Sequence, residues 1–284
     1  MEYTTNDIAA ARSLQFATYI HMSMATFWTY DYACSLHEEW TFLLRSRWSK
    51  MKGLYIVTRY LPFIFLATDI YLYFTPNLNP GKCWVWVHID LGIGMLLVVC
   101  SDYFFILRTY VLWNKNKILL AAMLFTFVSF LVACFGVAFA TTIPAAYVTS
   151  TIPGITGCYR SSTNYQLFIP FLLLSVFELG LMILTLIRAI QDWRANQSRL
   201  YVVRVNHNIS YYACGFLFSV TNVATILLFQ DSYQTILYGF QYMILAILAT
   251  RMHLHLWQVN RHPHGSTSTL VHVISDMSFA NPTE

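Results

Sequence analysis

Seven stretches of the chain stay apolar for long enough to cross a bilayer. Crossing the ~30 Å hydrocarbon core takes about 20 mostly apolar residues in a helix. Windows at 14–36, 54–74, 84–112, 118–140, 167–190, 209–229 and 232–257 meet that length. The pattern predicts an all-α membrane protein, a seven-transmembrane helix bundle over residues 1–257. The first window is the most interrupted, by threonines, serines, His21 and Asp31. The third is 29 residues long (84–112), or about 44 Å of helix. It is expected to tilt or to run past the membrane surface. Residues 141–166 carry Pro144, Pro153, Gly154, Gly157 and Cys158 with little charge, and read as a loop folded back over the bundle. Residues 258–284 are polar and rich in Ser, Thr and His, and read as a disordered tail. Duplicated transporter folds show internal repeats; none is visible here.

Composition strengthens the membrane reading. The chain of 284 residues is 57% hydrophobic and 11% charged, with mean hydropathy +0.52. Soluble domains carry about 25% charged residues, so the excess apolar length is expected to face lipid. The formal charge of +4 is then a topology signal rather than a sign of nucleic-acid binding. Of the lysines and arginines, Arg45, Arg47, Lys50, Lys52, Arg108, Lys115, Lys117, Arg188, Arg194, Arg199, Arg204, Arg251 and Arg261 fall on one side of the alternating spans. The other side has Arg12, Lys82 and Arg160, and Arg59 lies inside a span. Positive residues stay in the cytosol, which predicts the N-terminus outside and the C-terminus inside. Seven of the eight tryptophans, all but Trp28, fall near predicted interfaces, as an aromatic belt does. The first window is expected to act as the targeting signal, with the plasma membrane as destination and another endomembrane as the alternative.

Ionisable residues within apolar spans point to function by default. Arg59 and Asp102 come out at similar depth if the third span overshoots, and an Arg59–Asp102 pair is the sharpest expectation. Asp31 is the rival partner. Asp31, Glu39 and Arg59 together put opposite charges on the first two spans and their connection, where they would clamp that hairpin. Nearer the other end, Asp69, His88 and Asp90, with Glu178 in mid-span, would line a polar cavity opening outward. The plainer alternative for all of them is static hydrogen bonding between helices. Cys83 and Cys158 are the two cysteines placed on the oxidising side, where a disulfide is expected. Cys34 lies near the inner interface, within reach of palmitoylation.

Several chemistries have no footing. The five lysines all lie outside the spans, which excludes a retinal Schiff base. Paired Cys-x-x-Cys and His-Glu-x-x-His spacings are absent, as are phosphate loops and Gly-x-Ser-x-Gly elbows. The expectation is no enzyme, no cofactor and no metal.

One stretch carries a family signature. Tyr30-Asp31-Tyr32 is followed by Ser35, Glu39, a basic turn from Arg45 to Ser49 containing Trp48, and then Arg59-Tyr60-Leu61-Pro62. This order resembles a large family of seven-helix membrane proteins from mushroom-forming fungi, whose N-terminal part is a domain of unknown function. An earlier Trp of that pattern is Leu44 here. The run Leu107-Arg108-Thr109-Tyr110-Val111-Leu112-Trp113 is similar to the family's third-helix end, so the signature covers about 28–113. The resemblance implies a seven-helix fold and brings no activity with it.

Three functions stay open at this point. One is a receptor-like sensor of an unknown ligand, with the basic loop of Arg188, Arg194, Arg199 and Arg204 facing a cytosolic signalling partner. Another is a transporter or channel using Asp69, Asp90 and Glu178. The third is a structural or accessory membrane protein. The rhodopsin-like motifs are missing: no Asp-Arg-Tyr ends the third span, and no Asn-Pro-x-x-Tyr occurs in the seventh.

The predicted topology has a direct test. The sequons at Asn196 and Asn208 fall on the cytosolic side. Protein expressed in a glycosylating host is expected to show no mass shift on endoglycosidase treatment. Glycan on either asparagine means that the orientation is inverted.

Overall fold

The structure is a computed structural model, and its described residues are 5–75, 78–142, 147–149, 158–160, 168–195, 199–228 and 238–261. Within them the chain forms seven helices: α1 Thr5–Arg45, α2 Lys50–Phe74, α3 Pro80–Leu112, α4 Lys117–Thr142, α5 Phe168–Ala195, α6 Arg199–Leu228 and α7 Tyr238–Arg261. Between α4 and α5, two short strands, β1 Tyr147–Thr149 and β2 Cys158–Arg160, pair antiparallel with Thr149 opposite Cys158. No pattern of residues predicts this hairpin, and β1 packs against α3. The tail beyond Arg261 lies outside the described residues.

The helix ends follow local chemistry. No glycine or proline occurs before Gly53, so nothing breaks α1 at the predicted end of its span. The helix continues to Arg45, 41 residues in all. Lys52 then closes it: its Nζ donates to the carbonyls of Leu43 at 2.7 Å and Ser46 at 3.0 Å, carbonyls that a helix C-terminus leaves without partners. Ser49 caps α2 by accepting the Lys52 amide at 3.2 Å. Asn79 precedes Pro80 at the first position of α3 and accepts the Gly81 amide at 3.1 Å. After α3, Asn114 and Lys115 take left-handed backbone with φ of 53° and 58°. Asn116 then accepts the amide of Ile118 at 3.0 Å and opens α4.

Four helical segments are long and apolar enough to cross a membrane: Lys50–Phe74, Pro80–Leu112, Lys117–Thr141 and Ile169–Gln191. On α4, Phe125 is 76% exposed and Val132 66%. An apolar surface of that extent is untenable in water and natural against lipid. In α1 the order is reversed. Ala11, Leu14, Ala17, His21, Met24, Trp28, Asp31, Ser35, Glu39 and Phe42 form one buried stripe at three- and four-residue spacing, while Phe16, Tyr19, Phe27, Tyr30 and Trp40 point outward. Its polar residues face the bundle along with Trp28 and Phe42, and its remaining large aromatics face out.

Helix α7 lies at the centre, in contact with α1, α2, α3 and α6. Met243, Leu245, Ala246, Ala249 and Met252 are all buried there. The approach of α3 to α7 depends on Gly94: a Cβ there would lie 2.5 Å from a ring carbon of Tyr242. Gly92, two residues earlier, has nothing within 4 Å of its Cβ position. Overpacking of this kind costs about 1–3 kcal/mol. Gly94→Ala is therefore expected to lower the thermal midpoint of the detergent-purified protein, and Gly92→Ala to leave it unchanged or raised.

Candidate functional site

Among the described residues, Arg59 and the acids buried within the bundle fall into three groups, each set by which face of a helix a residue occupies. The first surrounds Arg59. Its guanidinium is 1% exposed. Nη1 donates to Asp31 Oδ2 at 2.8 Å, Nε to Glu39 Oε2 at 3.0 Å, and Nη2 to Ser35 Oγ. Ser35 passes a hydrogen bond on to the Asp31 carbonyl at 2.8 Å. From α7, Arg251 Nε reaches the other oxygen of Asp31 at 2.6 Å. The rings of Trp28 and Tyr32 lie 5.2 Å from the guanidinium carbon, within cation–π range. Two carboxylates thus meet two guanidinium groups, and the cluster is neutral. It ties α1, α2 and α7 together.

Ten residues further along α2 and ten back along α1, His21 Nδ1 lies 2.9 Å from Asp69 Oδ2. The His21 ring stacks on Tyr73 with centroids 4.1 Å apart. Thr68 Oγ1 lies 2.6 Å from Asp90 Oδ1, which brings α3 in. The repeat of the same offset shows α1 and α2 running antiparallel in one register over about 15 Å.

The third group joins α3, α5, α6 and α7. Asn222 donates to Gln241, Gln241 to Ser219, and Ser219 to Glu178 Oε2. Asp102 lies within electrostatic reach of Glu178. Both Asp102 oxygens and the Glu178 Oε1 have no hydrogen-bond partner. Asp102 also borders a small cavity walled by Phe127, Phe130, Leu131, Cys134, Phe171 and Phe177.

This arrangement corrects the expected Arg59–Asp102 pair. Thr68 and Arg59 are nine residues apart, about 180° around a helix. With Thr68 turned to α3, Arg59 must face the opposite way, toward α1 and α7. Asp90 and Asp102 are twelve residues apart, about 120° around α3, so Asp102 points to α5 rather than α2. Glu39 lies inside α1 rather than in the connection, because that helix continues unbroken.

The expected outer cavity is divided as well. Asp69 and Asp90 belong together, but Glu178 belongs with Asp102. His88 sits two residues from Asp90 and so on another face; it contacts the Trp84 carbonyl at 2.7 Å and lies against the Trp84 ring. Arg188 is not part of a free basic loop, since its Nε donates to the Leu112 carbonyl at the end of α3, at 3.0 Å. The side chains of Arg194, Arg199 and Arg204 lie outside the described residues. Cys83 is disulfide-bonded, and Cys34, Cys100, Cys134 and Cys214 are free. The Cys158 side chain lies outside the described residues. Among the described residues no three His, Cys, Asp or Glu side chains are grouped to hold a metal.

Sequence reasoning missed His21, Ser35, Ser219, Asn222, Gln241 and Arg251. For His21 the signal was present, since it shares the stripe of Asp31 at helical spacing. Arg251 had been counted only as a topology charge.

Long helices with apolar outer faces and polar groups turned inward define an integral, multi-pass membrane protein. The profile of a family of unknown function, DUF6533, matches residues 19–64. The chain thus carries a domain of unknown function near its N-terminus. That stretch holds Trp28, Asp31, Tyr32, Ser35, Glu39 and Arg59, which is the whole clamp except Arg251. No curated protein and no solved structure matches the chain.

Removing one partner of a buried ion pair costs about 3–5 kcal/mol. Arg59→Met leaves Asp31 and Glu39 facing one cation between them, and is expected to unfold or severely destabilise the protein. The Arg251 side chain is 46% exposed, so Arg251→Ala is expected to cost far less. Thermal unfolding monitored by size-exclusion chromatography checks the order. Equal losses would mean that the clamp is not the dominant tie.

Proposed function

We propose that this is a seven-span membrane protein, N-terminus outside and C-terminus in the cytosol, working as a receptor-like sensor in the plasma membrane rather than as an enzyme. The observation that carries this reading is the contrast between the polar groups. The Arg59 clamp is neutral, with Asp31 bonded through both oxygens and one Glu39 oxygen left over, and suits a fixed frame of α1, α2 and α7. The Asp102–Glu178 group leaves three buried carboxyl oxygens without partners and is linked by side-chain hydrogen bonds to α6 and α7. Buried groups left unpartnered in one arrangement favour any other arrangement, or any ligand, that supplies the missing bonds. A ligand acting there would bias how α5 and α6 sit against α3 and α7. The two helices meet on the cytosolic side, at the basic connection.

On this reading the connection docks a cytosolic signalling partner through Arg194, Arg199 and Arg204. Arg188 is excluded because it already caps α3.

The test is purification in mild detergent followed by mass spectrometry of co-purifying proteins. A heterotrimeric G-protein subunit is expected, and is expected to be depleted when Arg194, Arg199 and Arg204 are all changed to Gln. If no such subunit appears, and solute flux in proteoliposomes is present and lost in Asp90→Asn, the protein is a transporter instead.

A further inference from the structure

Charge balance separates the three polar groups. The clamp pairs two cations with two anions. Asp102 and Glu178 are two acids, and neither forms an ion pair among the described residues. Asp102 is 0% exposed, and no hydrogen bond reaches either of its oxygens. An ionised carboxylate in such apolar surroundings costs several kcal/mol, so the group stays protonated unless a cation compensates the charge.

The same carboxyl borders the cavity between α3, α4 and α5, which Tyr242 of α7 also lines. The cavity measures about 40 Å³. A water needs roughly 10–15 Å³ by this measure, and a cavity that accepts benzene is about 150 Å³. The space therefore suits a small polar head and not a whole ring. Its other walls include Phe127, Phe130, Phe171 and Phe177. Aromatic faces attract cations, more strongly where water is excluded. A carboxylate only accepts hydrogen bonds, and an ammonium offers three donors and a positive charge. A hydroxyl offers one donor and no charge, which would leave the carboxylate uncompensated.

We propose that this cavity binds the protonated head of a slim primary alkylamine, with Asp102 as its counterion and the aromatic walls around the ammonium. The alkyl chain lies along the apolar faces of α4 and α5. The proposal rests on reading the Asp102–Glu178 group as the ligand-sensing site, and it names the ligand class.

The test uses the full chain in detergent, with n-hexylamine and n-hexanol as matched probes. Saturable thermal stabilisation by n-hexylamine is expected, with n-hexanol giving none. In Asp102→Asn the apparent affinity is expected to fall at least tenfold. Leu131→Phe keeps the carboxylate and fills the cavity, and is expected to abolish the effect; it serves if Asp102→Asn does not fold. The proposal is overturned if n-hexylamine gives no saturable shift, if n-hexanol matches it, or if Leu131→Phe responds like the unsubstituted protein. Because the readout needs no cytosolic partner, amine binding without a G-protein subunit would sink the signalling reading alone. Partner capture without amine binding would sink only the ligand class.

Discussion

A guanidinium group inside a membrane must find all its partners within the protein. Arg59 meets this demand with Asp31, Ser35 and Glu39 from one helix, and Asp31 in turn takes Arg251 from another. The demand fixes much else. Three partners from α1 must arrive on one face, so Asp31, Ser35 and Glu39 are spaced by fours along it. Helix α1 must stay intact past the end of its apolar window to deliver Glu39. Helix α7 comes close enough for Arg251 to reach Asp31. The cost of taking so many charges from water is offset because they compensate one another and nearly all their hydrogen bonds are made.

The far side of the bundle is built differently. Asp102, Glu178, Ser219, Gln241 and Asn222 bring together α3, α5, α6 and α7, but the chain of donors ends on one Glu178 oxygen. Nothing reaches Asp102. A domain can hold such a deficit only if other contacts over-determine the local structure, and here the aromatic packing around Leu97, Phe104, Phe177 and Met243 does so. The clamp is therefore balanced in charge, while the Asp102–Glu178 group has no cation among the described residues. The matched stretch, residues 19–64, carries all of the clamp except Arg251.

Much of this was legible in the residue pattern. Seven apolar windows located the seven helices of the described residues, and four of these are long and apolar enough to cross a membrane. The charges of the first hairpin also announced a clamp. Asp31, Glu39 and Arg59 lie close in the chain, and oppositely charged residues at the same depth have few other options. What failed was pairing at long range. Arg59 and Asp102 matched in depth, yet depth says nothing about direction, and a half-turn of helix separates a partner from a stranger. His88 and Asp90 erred in the same way over two residues. The β1–β2 hairpin was invisible because three-residue strands carry no period to read.

The sequence by itself determined that the chain forms long apolar helices and that few charges lie within them, and it offered Asp31, Glu39 and Arg59 as one of two ways to pair the buried arginine. Local composition and spacing suffice for these, since each follows from the cost of placing backbone and charge in hydrocarbon. Only the tertiary structure decided that α7 is central, that Arg251 completes the clamp, and that Asp102 and Glu178 share a cluster without a cation. Those facts depend on how each helix is rotated about its axis. Rotation is set by the combined packing of all its neighbours, with Gly94 admitting the ring of Tyr242 as one example, and no single stretch of sequence contains that information.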